Sequence, residues 1–279
     1  MKTAPPLWML RTAFRTVGAV APGVAARWAE TIFCSPPRQE QRPAEEAFLD
    51  TGNRITVASE DQDLAVWTWG SGPAVVLAHG WGSRAGRFSA IAGALVQANF
   101  RVILFDAPAH GASMGRLASL PQFSRALRAV GDTVGPLHGL IGHSLGGAAV
   151  SLAMSGGLSA ERAVLLAPPA DVVVFSHAFS EHLRIPLRAR SVMRENLENR
   201  LRFRFEELHI PTLAREMTVP ALIIHDRGDT DVPYSHGEEI AGAWPGAQLV
   251  GTTGLGHRAL LRDPDVISRT VTFLSDGAR

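Results

Sequence analysis

A chain of 279 residues, 46% apolar and 19% charged, is long enough for one large α/β domain with a well-buried core and falls outside the disordered and fibrous classes. Its formal net charge of +1 argues against a nucleic-acid partner, which would need a clustered basic surface. Lys2 is the sole lysine, which removes lysine bases and Schiff-base chemistry, and the single cysteine, Cys34, cannot form an internal disulfide or a multi-cysteine metal site. With no mark of an oxidising compartment, a cytoplasmic location is expected.

The chain opens on an apolar stretch, Leu7 to Val20, that follows Lys2 as a signal peptide would, but Arg11 and Arg15 interrupt it. Leu7, Leu10, Phe14 and Val17 recur at helical spacing opposite Arg11, Thr12, Arg15 and Thr16, which predicts an amphipathic helix. Pro22-Gly23 stops it. A second short stretch sets Val24, Trp28 and Ile32 on one face before Ser35-Pro36-Pro37 ends it. Residues 1–46 are therefore expected to be a helical arm and linker. The arm would pack on its own domain or a dimer mate, with membrane-surface contact or export as the alternative. No uncharged apolar run reaches the ~18 residues of a membrane span.

After a polar linker from Arg38 to Glu46, residues 47–279 alternate short apolar runs with helical periods. Strands are predicted at Arg54–Ala58, Leu64–Trp69, Ala74–Ala78, Arg101–Phe105, Gly139–Gly142, Arg162–Ala167, Ala221–His225 and Gln248–Thr252. Helices are predicted near Phe88–Ala98, Leu120–Val134, Leu145–Met154 and Arg258–Leu274. The alternation implies a doubly wound, mostly parallel sheet. Residues 169–216 interrupt it and read as a small helical cap over the sheet's carboxyl edge, where open α/β sheets bind ligands. The arginine-rich run Arg184 to Arg204 reads as a solvated helix face, with a site for an acidic substrate as the alternative.

The strongest local signal is Gly142-His143-Ser144-Leu145-Gly146, which fits G-x-S-x-G between an apolar strand and a helix of small residues. A serine on such a turn is held in a strained backbone, and Gly142 and Gly146 let strand and helix approach closely enough to hold it. The N-terminus of the helix also aims free N–H groups at a developing oxyanion.

From about Arg54 to Leu274 the chain resembles the α/β-hydrolase superfamily. His79-Gly80-Trp81-Gly82 resembles its oxyanion loop, Asp106-Ala107-Pro108-Ala109-His110-Gly111 its D-x-P-x-x-G turn, and Gly142 to Gly146 its nucleophile elbow. Asp229-Thr230-Asp231-Val232-Pro233 and Gly256-His257 resemble its acid and base loops, in the family's order Ser, Asp, His. The resemblance implies the fold and a serine-hydrolase triad of Ser144, His257 and Asp229. It also implies an oxyanion hole from the backbone N–H groups of Trp81 and Leu145, with the Trp81 ring on the pocket wall.

Serine needs a base to remove its proton, and the base needs a third group to orient it. His257 lies between the last strand and last helix, at the same sheet edge as Ser144. Asp229 follows the strand Ala221–His225 at the family's D-x-x-V-P spacing; Asp226 sits too near the strand end, and Asp231 is the other rival. His79 and His143 are expected to support the oxyanion loop and elbow by hydrogen bonding, and Asp106 to pin its own turn. His110, His225 and His236 have no comparable placement.

Neither cofactor nor metal is implied, since His79, His110 and His143 lie on different loops without zinc-like spacing. The expected activity is hydrolysis of a short- or medium-chain carboxylic ester through an acyl-enzyme, the substrate being a small ester or acyl compound. The same triad serves a thioesterase, lactonase, amidase or C–C bond hydrolase. A non-enzymatic binding protein on this fold is the competing class, and such proteins usually lose part of the triad, which is complete here.

Overall fold

A computed structural model of the chain describes residues 6–60 and 62–276, so Lys2, where the signal-peptide reading begins, lies outside the described residues. The first helices are α1 (Leu7–Val20) and α2 (Pro22–Phe33), separated at Ala21. Then comes α3 (Pro43–Asp50), which begins inside the segment expected as linker and runs past its end, where Pro43 supplies a preset first helical φ and Glu45 accepts the Arg42 N–H at 3.4 Å. Next are β1 (Asn53–Ser59), β2 (Gln62–Trp69), β3 (Ala74–Ala78), α4 (Ser89–Gln97), β4 (Arg101–Phe105), α5 (Leu120–Val134), β5 (Leu137–His143), α6 (Leu145–Ser155) and β6 (Ala160–Leu166). The chain continues through α7 (Val172–His182), α8 (Leu187–Leu201), α9 (Ile210–Ala214), β7 (Ala221–Asp226), α10 (Tyr234–Ala243), β8 (Gln248–Thr252), α11 (Gly256–Ala259) and α12 (Pro264–Ser275).

The β-branched and leucine runs of β3, β4, β5 and β7 are buried on both faces, as central strands of a covered sheet must be. They build an eight-stranded sheet in the order β1-β2-β4-β3-β5-β6-β7-β8, antiparallel at β1-β2 and β2-β4 and parallel elsewhere. Right-handed crossovers then put helices on both faces, a doubly wound α/β fold. On one face Val75, Leu77, Leu104, Ile141, Val164 and Ile224 pack with Ile91 and Leu95 of α4 and with Val266, Phe273 and Leu274 of α12. The helix expected at Arg258–Leu274 is two helices. Asp263 accepts the N–H groups of Asp265 and Val266 at 3.1 Å and Pro264 follows it, so a new N-terminus starts there.

The described chain falls into two compact units. One holds the sheet and comprises residues 36–170 and 210–276. The other joins residues 6–35 to the insertion 171–209. The insertion is thus shorter than 169–216, because α9 belongs with the sheet, and the expected arm boundary at residue 46 falls inside α3.

Within the arm–insertion unit α2 packs along α8. Asn196 donates to Glu30 Oε1 at 2.6 Å, Arg11 Nε donates to the His182 carbonyl at 2.8 Å, and the Phe33 and Phe179 rings lie 5.0 Å apart. The face of α2 that is buried is Ala25, Ala26 and Ala29, whereas Trp28 and Ile32, which the sequence sets together on the larger apolar face, stand exposed. Small side chains let α2 approach α8 closely, and that outweighs the larger apolar area of the other face. In α1 the buried residues are Phe14 and Gly18, and Leu7 is exposed. No described helix is long and apolar enough to cross a membrane.

Removing the residues before Pro36 strips α7 and α8 of these partners. The truncated chain should lose thermal stability, and trypsin should cut it at the arginines between Arg184 and Arg204 much faster than the full chain. Limited proteolysis read by mass spectrometry checks this; equal cutting rates would show that the insertion folds without the arm.

Candidate active site

Parallel strands end at one edge, and β3, β4, β5, β7 and β8 deliver the candidate residues there on successive loops. Ser144 links β5 to α6 with φ 54° and ψ −126°, a left-handed backbone that a side chain adopts only under constraint. The constraint is close packing. A Cβ on Gly142 would lie 2.4 Å from the Gly146 carbonyl oxygen, and one on Gly146 only 2.0 Å from the carbonyl oxygen of Ala78, so any side chain at either position pushes α6 off the sheet. Ser144 and Leu145 are half-buried while Gly142, His143 and Gly146 are buried, so solvent reaches the turn at its serine. Leu145 is the first residue of α6, where the N–H has no acceptor within the helix.

Gly80 lies against this turn, since a Cβ on it would sit 2.8 Å from Ser144 Cβ. Two buried histidines hold the Gly80 loop. His79 Nε2 accepts the Ala107 N–H at 2.9 Å while its Nδ1 meets the Gly80 carbonyl at 2.8 Å. His110 Nε2 accepts the Gly82 N–H at 3.0 Å while its Nδ1 meets the Pro108 carbonyl at 2.8 Å. Both rings therefore carry their proton on Nδ1. The Trp81 indole stands edge-on to His110 at 5.5 Å and is 36% exposed. Asp106 pins two loops, accepting from the N–H groups of Ala85 and Ala112 at 2.7 Å each.

Asp229 reaches His257. Its Oδ2 lies 2.7 Å from His257 Nδ1 and 3.4 Å from His225 Nε2, while its Oδ1 accepts the N–H groups of Asp231 and Val232 at 2.9 Å each. Burial alone would raise the Asp229 pKa, but hydrogen bonds from His225, His257 and the Val232 N–H overcome it and hold the carboxyl well below the usual carboxylate range. Asp229 is thus an anion, and an acceptor only, so the bonded His257 Nδ1 carries a hydrogen, and in the neutral ring Nε2 is the acceptor. His143, the residue before Ser144, packs against His257 with ring centroids 4.7 Å apart and planes inclined at 44°, and its Nε2 bonds the His257 carbonyl at 2.8 Å.

The rivals of Asp229 have other partners. Asp226 is fully buried and accepts from Thr252 Oγ1 and from the N–H groups of Gly228 and Leu255, tying the base loop to the end of β7. Asp231 makes an exposed pair with Arg258 at 3.3 Å. Histidines without an expected place also have one: His110 fixes the peptide after Trp81, His225 is a second neighbour of Asp229, and His236 accepts the Ala170 N–H at 2.9 Å. Among the described residues, no group of three His, Cys, Asp or Glu side chains could hold a metal ion.

The profile of the alpha/beta hydrolase family matches residues 75–270, more than half of the chain. The chain belongs to that family. Among solved structures, an esterase of Pyrococcus furiosus superposes with a TM-score of 0.68 at 20% identity, covering 88% of this chain and 97% of its own. A thermophilic esterase of Thermogutta terrifontis gives 0.62 at 17% identity over 81% of this chain and 100% of its own. A bromoperoxidase of Bacillus anthracis gives 0.63 at 16% identity over 80% of this chain and 100% of its own. At these identities the likeness is one of fold. No curated protein matches the sequence.

This α/β-hydrolase keeps three imidazoles neutral around the elbow. Burial, first, lowers the pKa of His79 from 6.5 to about 4, and that of His110 and His143 from 6.5 to about 3, with His79 adding to the effect on His110 and His257 to that on His143. Unfolding exposes these rings to ordinary protonation, so the unfolded chain binds more protons between pH 6.5 and about 4. Stability should then fall as pH falls through that window, by up to about 1.4 kcal/mol per pH unit for each histidine. Denaturant midpoints measured at stepped pH check it; a flat profile from pH 7 to 5 would mean that the native state takes up the same protons.

Proposed function

We propose that the protein is a serine hydrolase that cleaves a carboxylic ester with a short- or medium-chain acyl group. Ser144 is the nucleophile, His257 the base and Asp229 the acid. The observation that carries this reading is the 2.7 Å contact between His257 Nδ1 and Asp229 Oδ2, with His257 packed against His143, the residue before a serine in a left-handed backbone. Esterases among the structural neighbours support ester chemistry.

His257 Nε2 takes the Ser144 hydroxyl proton as Oγ attacks the acyl carbon, and Asp229 stabilises the imidazolium that forms. The N–H groups of Leu145 and Trp81 donate to the oxyanion. As the tetrahedral intermediate collapses, His257 returns the proton to the departing alcohol and leaves Ser144 acylated. Water then attacks the acyl-enzyme by the same route in reverse, with His257 again the base. The triad serves thioesters, lactones and amides by the same steps, and an assay across these acyl donors at matched acyl length ranks them.

Ser144→Ala should abolish acyl-enzyme formation and fluorophosphonate labelling and lower kcat by roughly 10⁴ to 10⁶, about 5 to 8 kcal/mol of barrier. Circular dichroism should show an unchanged fold. Normal turnover of p-nitrophenyl esters by folded Ser144→Ala would falsify the assignment.

The two aspartates of the acid loop separate cleanly. Asp229→Asn leaves a neutral amide against His257 and should cost roughly 10⁴ in kcat. Asp231→Asn removes an exposed ion pair worth at most ~1 kcal/mol and should leave turnover within a few-fold of normal. The reverse ranking would move the acid to residue 231.

A further inference from the structure

His225, near the end of β7, is fully buried and follows two buried isoleucines, Ile223 and Ile224. Its Nε2 lies 2.9 Å from the Val232 carbonyl oxygen and 3.4 Å from Asp229 Oδ2. Both neighbours only accept, so the ring hydrogen sits on Nε2 and Nδ1 keeps a lone pair. Among the described residues nothing meets that lone pair: Nδ1 is buried without a hydrogen-bond partner, and a Cβ on Gly237 of α10 would lie 2.7 Å from it. A buried nitrogen left unpaired destabilises a fold, and an aliphatic side chain at this position would avoid it. What the imidazole supplies that an aliphatic chain does not is one N–H behind the acid.

That N–H bears on both oxygens of Asp229. It holds the carbonyl of Val232, and the N–H of the same residue donates to Asp229 Oδ1 at 2.9 Å. It also sets a hydrogen-bearing nitrogen near Oδ2, the oxygen that lies 2.7 Å from His257 Nδ1. Both side chains are fully buried, so water has no access to replace the contact. Burial raises the Asp229 pKa, and the His225 N–H is the foremost of the hydrogen bonds that hold it well below the usual carboxylate range instead. Oδ2 therefore stands between two imidazole nitrogens that both carry hydrogen. A proton moving from His257 onto Oδ2 would face the hydrogen on His225, so it stays on His257.

We propose that His225 is a positioning residue of the triad, holding the Asp229 carboxylate ionised and aimed at His257; this rests on the assignment of Ser144, His257 and Asp229 given above. The ring acts on the reaction only through Asp229. Gly237 belongs to the same arrangement, because any side chain there would press on the ring and tilt its N–H away from the acid loop.

Two variants of the full chain test it. His225→Phe keeps a ring and loses the N–H, whereas His225→Gln keeps a donor near the place of Nε2. In hydrolysis of p-nitrophenyl esters His225→Phe should lower kcat about 10- to 100-fold with KM within about twofold of normal, and His225→Gln should recover most of the loss. In an Asp229→Asn background the further loss from His225→Phe should be under about twofold, because the group it acts through is gone. In the unaltered protein, NMR correlations between imidazole nitrogens and carbon-bound ring protons should place the His225 hydrogen on Nε2 at neutral pH, a readout that needs neither turnover nor a folded variant. Full kcat in folded His225→Phe, equal losses in both Asp229 backgrounds, His225→Gln no better than His225→Phe, or a hydrogen on Nδ1 would each overturn the proposal. Normal turnover by Ser144→Ala would remove the triad and this proposal with it; lost turnover by Ser144→Ala beside full turnover by His225→Phe would remove this one alone.

Discussion

One constraint organises the sheet unit: α6 must start so close to β3 and β5 that its first turn touches their backbones. The Gly146 Cα faces the Ala78 carbonyl at a distance that admits no side chain, and Gly142 faces the backbone of Gly146 and Gly147. Held from both sides, Ser144 has no relaxed backbone available and takes φ 54°. The same contact brings Gly80 against the serine, so elbow and Gly80 loop are positioned by one packing event. Their relative placement therefore rests on the rigid sheet rather than on flexible side chains.

Around that junction the loops are tied to each other instead of to solvent. Asp106 joins the turn after β4 to the segment before α4, and Asp226 joins the end of β7 to the base loop. His143 bonds the carbonyl of His257, so the residue before the serine supports the backbone of the residue that faces the acid. Buried neutral imidazoles suit this task because each offers one donor and one acceptor at a fixed angle, and a charge there would go unsolvated. His143 Nδ1 and His225 Nδ1 remain buried without a partner among the described residues, which marks where the network ends.

Much of the sheet was legible because its strands announce themselves. Ala74–Ala78, Arg101–Phe105 and Gln248–Thr252 fall where β-branched runs between turn residues put them. The family order of motifs pointed to the edge that gathers Ser144, Asp229 and His257. Periodicity misled where small residues decide. Trp28 and Ile32 share the larger apolar face, yet the alanines on the other side of α2 are the ones that the fold buries. A Pro-Ala-Glu-Glu start hid α3 inside a polar stretch, and Asp263-Pro264 split the last helix. His110 was passed over because its role depends on a backbone group 28 residues away, Gly82, and His225 because its partners, the Val232 carbonyl and the Asp229 carboxylate, reach it only once the acid loop folds back on the strand end. Pairing of the arm with the insertion leaves no local trace at all.

That pairing has a consequence for the order in which the protein takes shape on the ribosome. Glu30 and Asn196 are 166 residues apart, as are Cys34 and Arg200. At ordinary rates of synthesis α1 and α2 emerge roughly 8 to 30 s before the helix they pack on. Through that interval α1 and α2 have each other, but the face that α2 presents to α8 has no native partner, while the intervening strands are free to assemble. The arm thus leaves the ribosome well before the helix it packs on, and for that time the surface it will bury there is open to a chaperone.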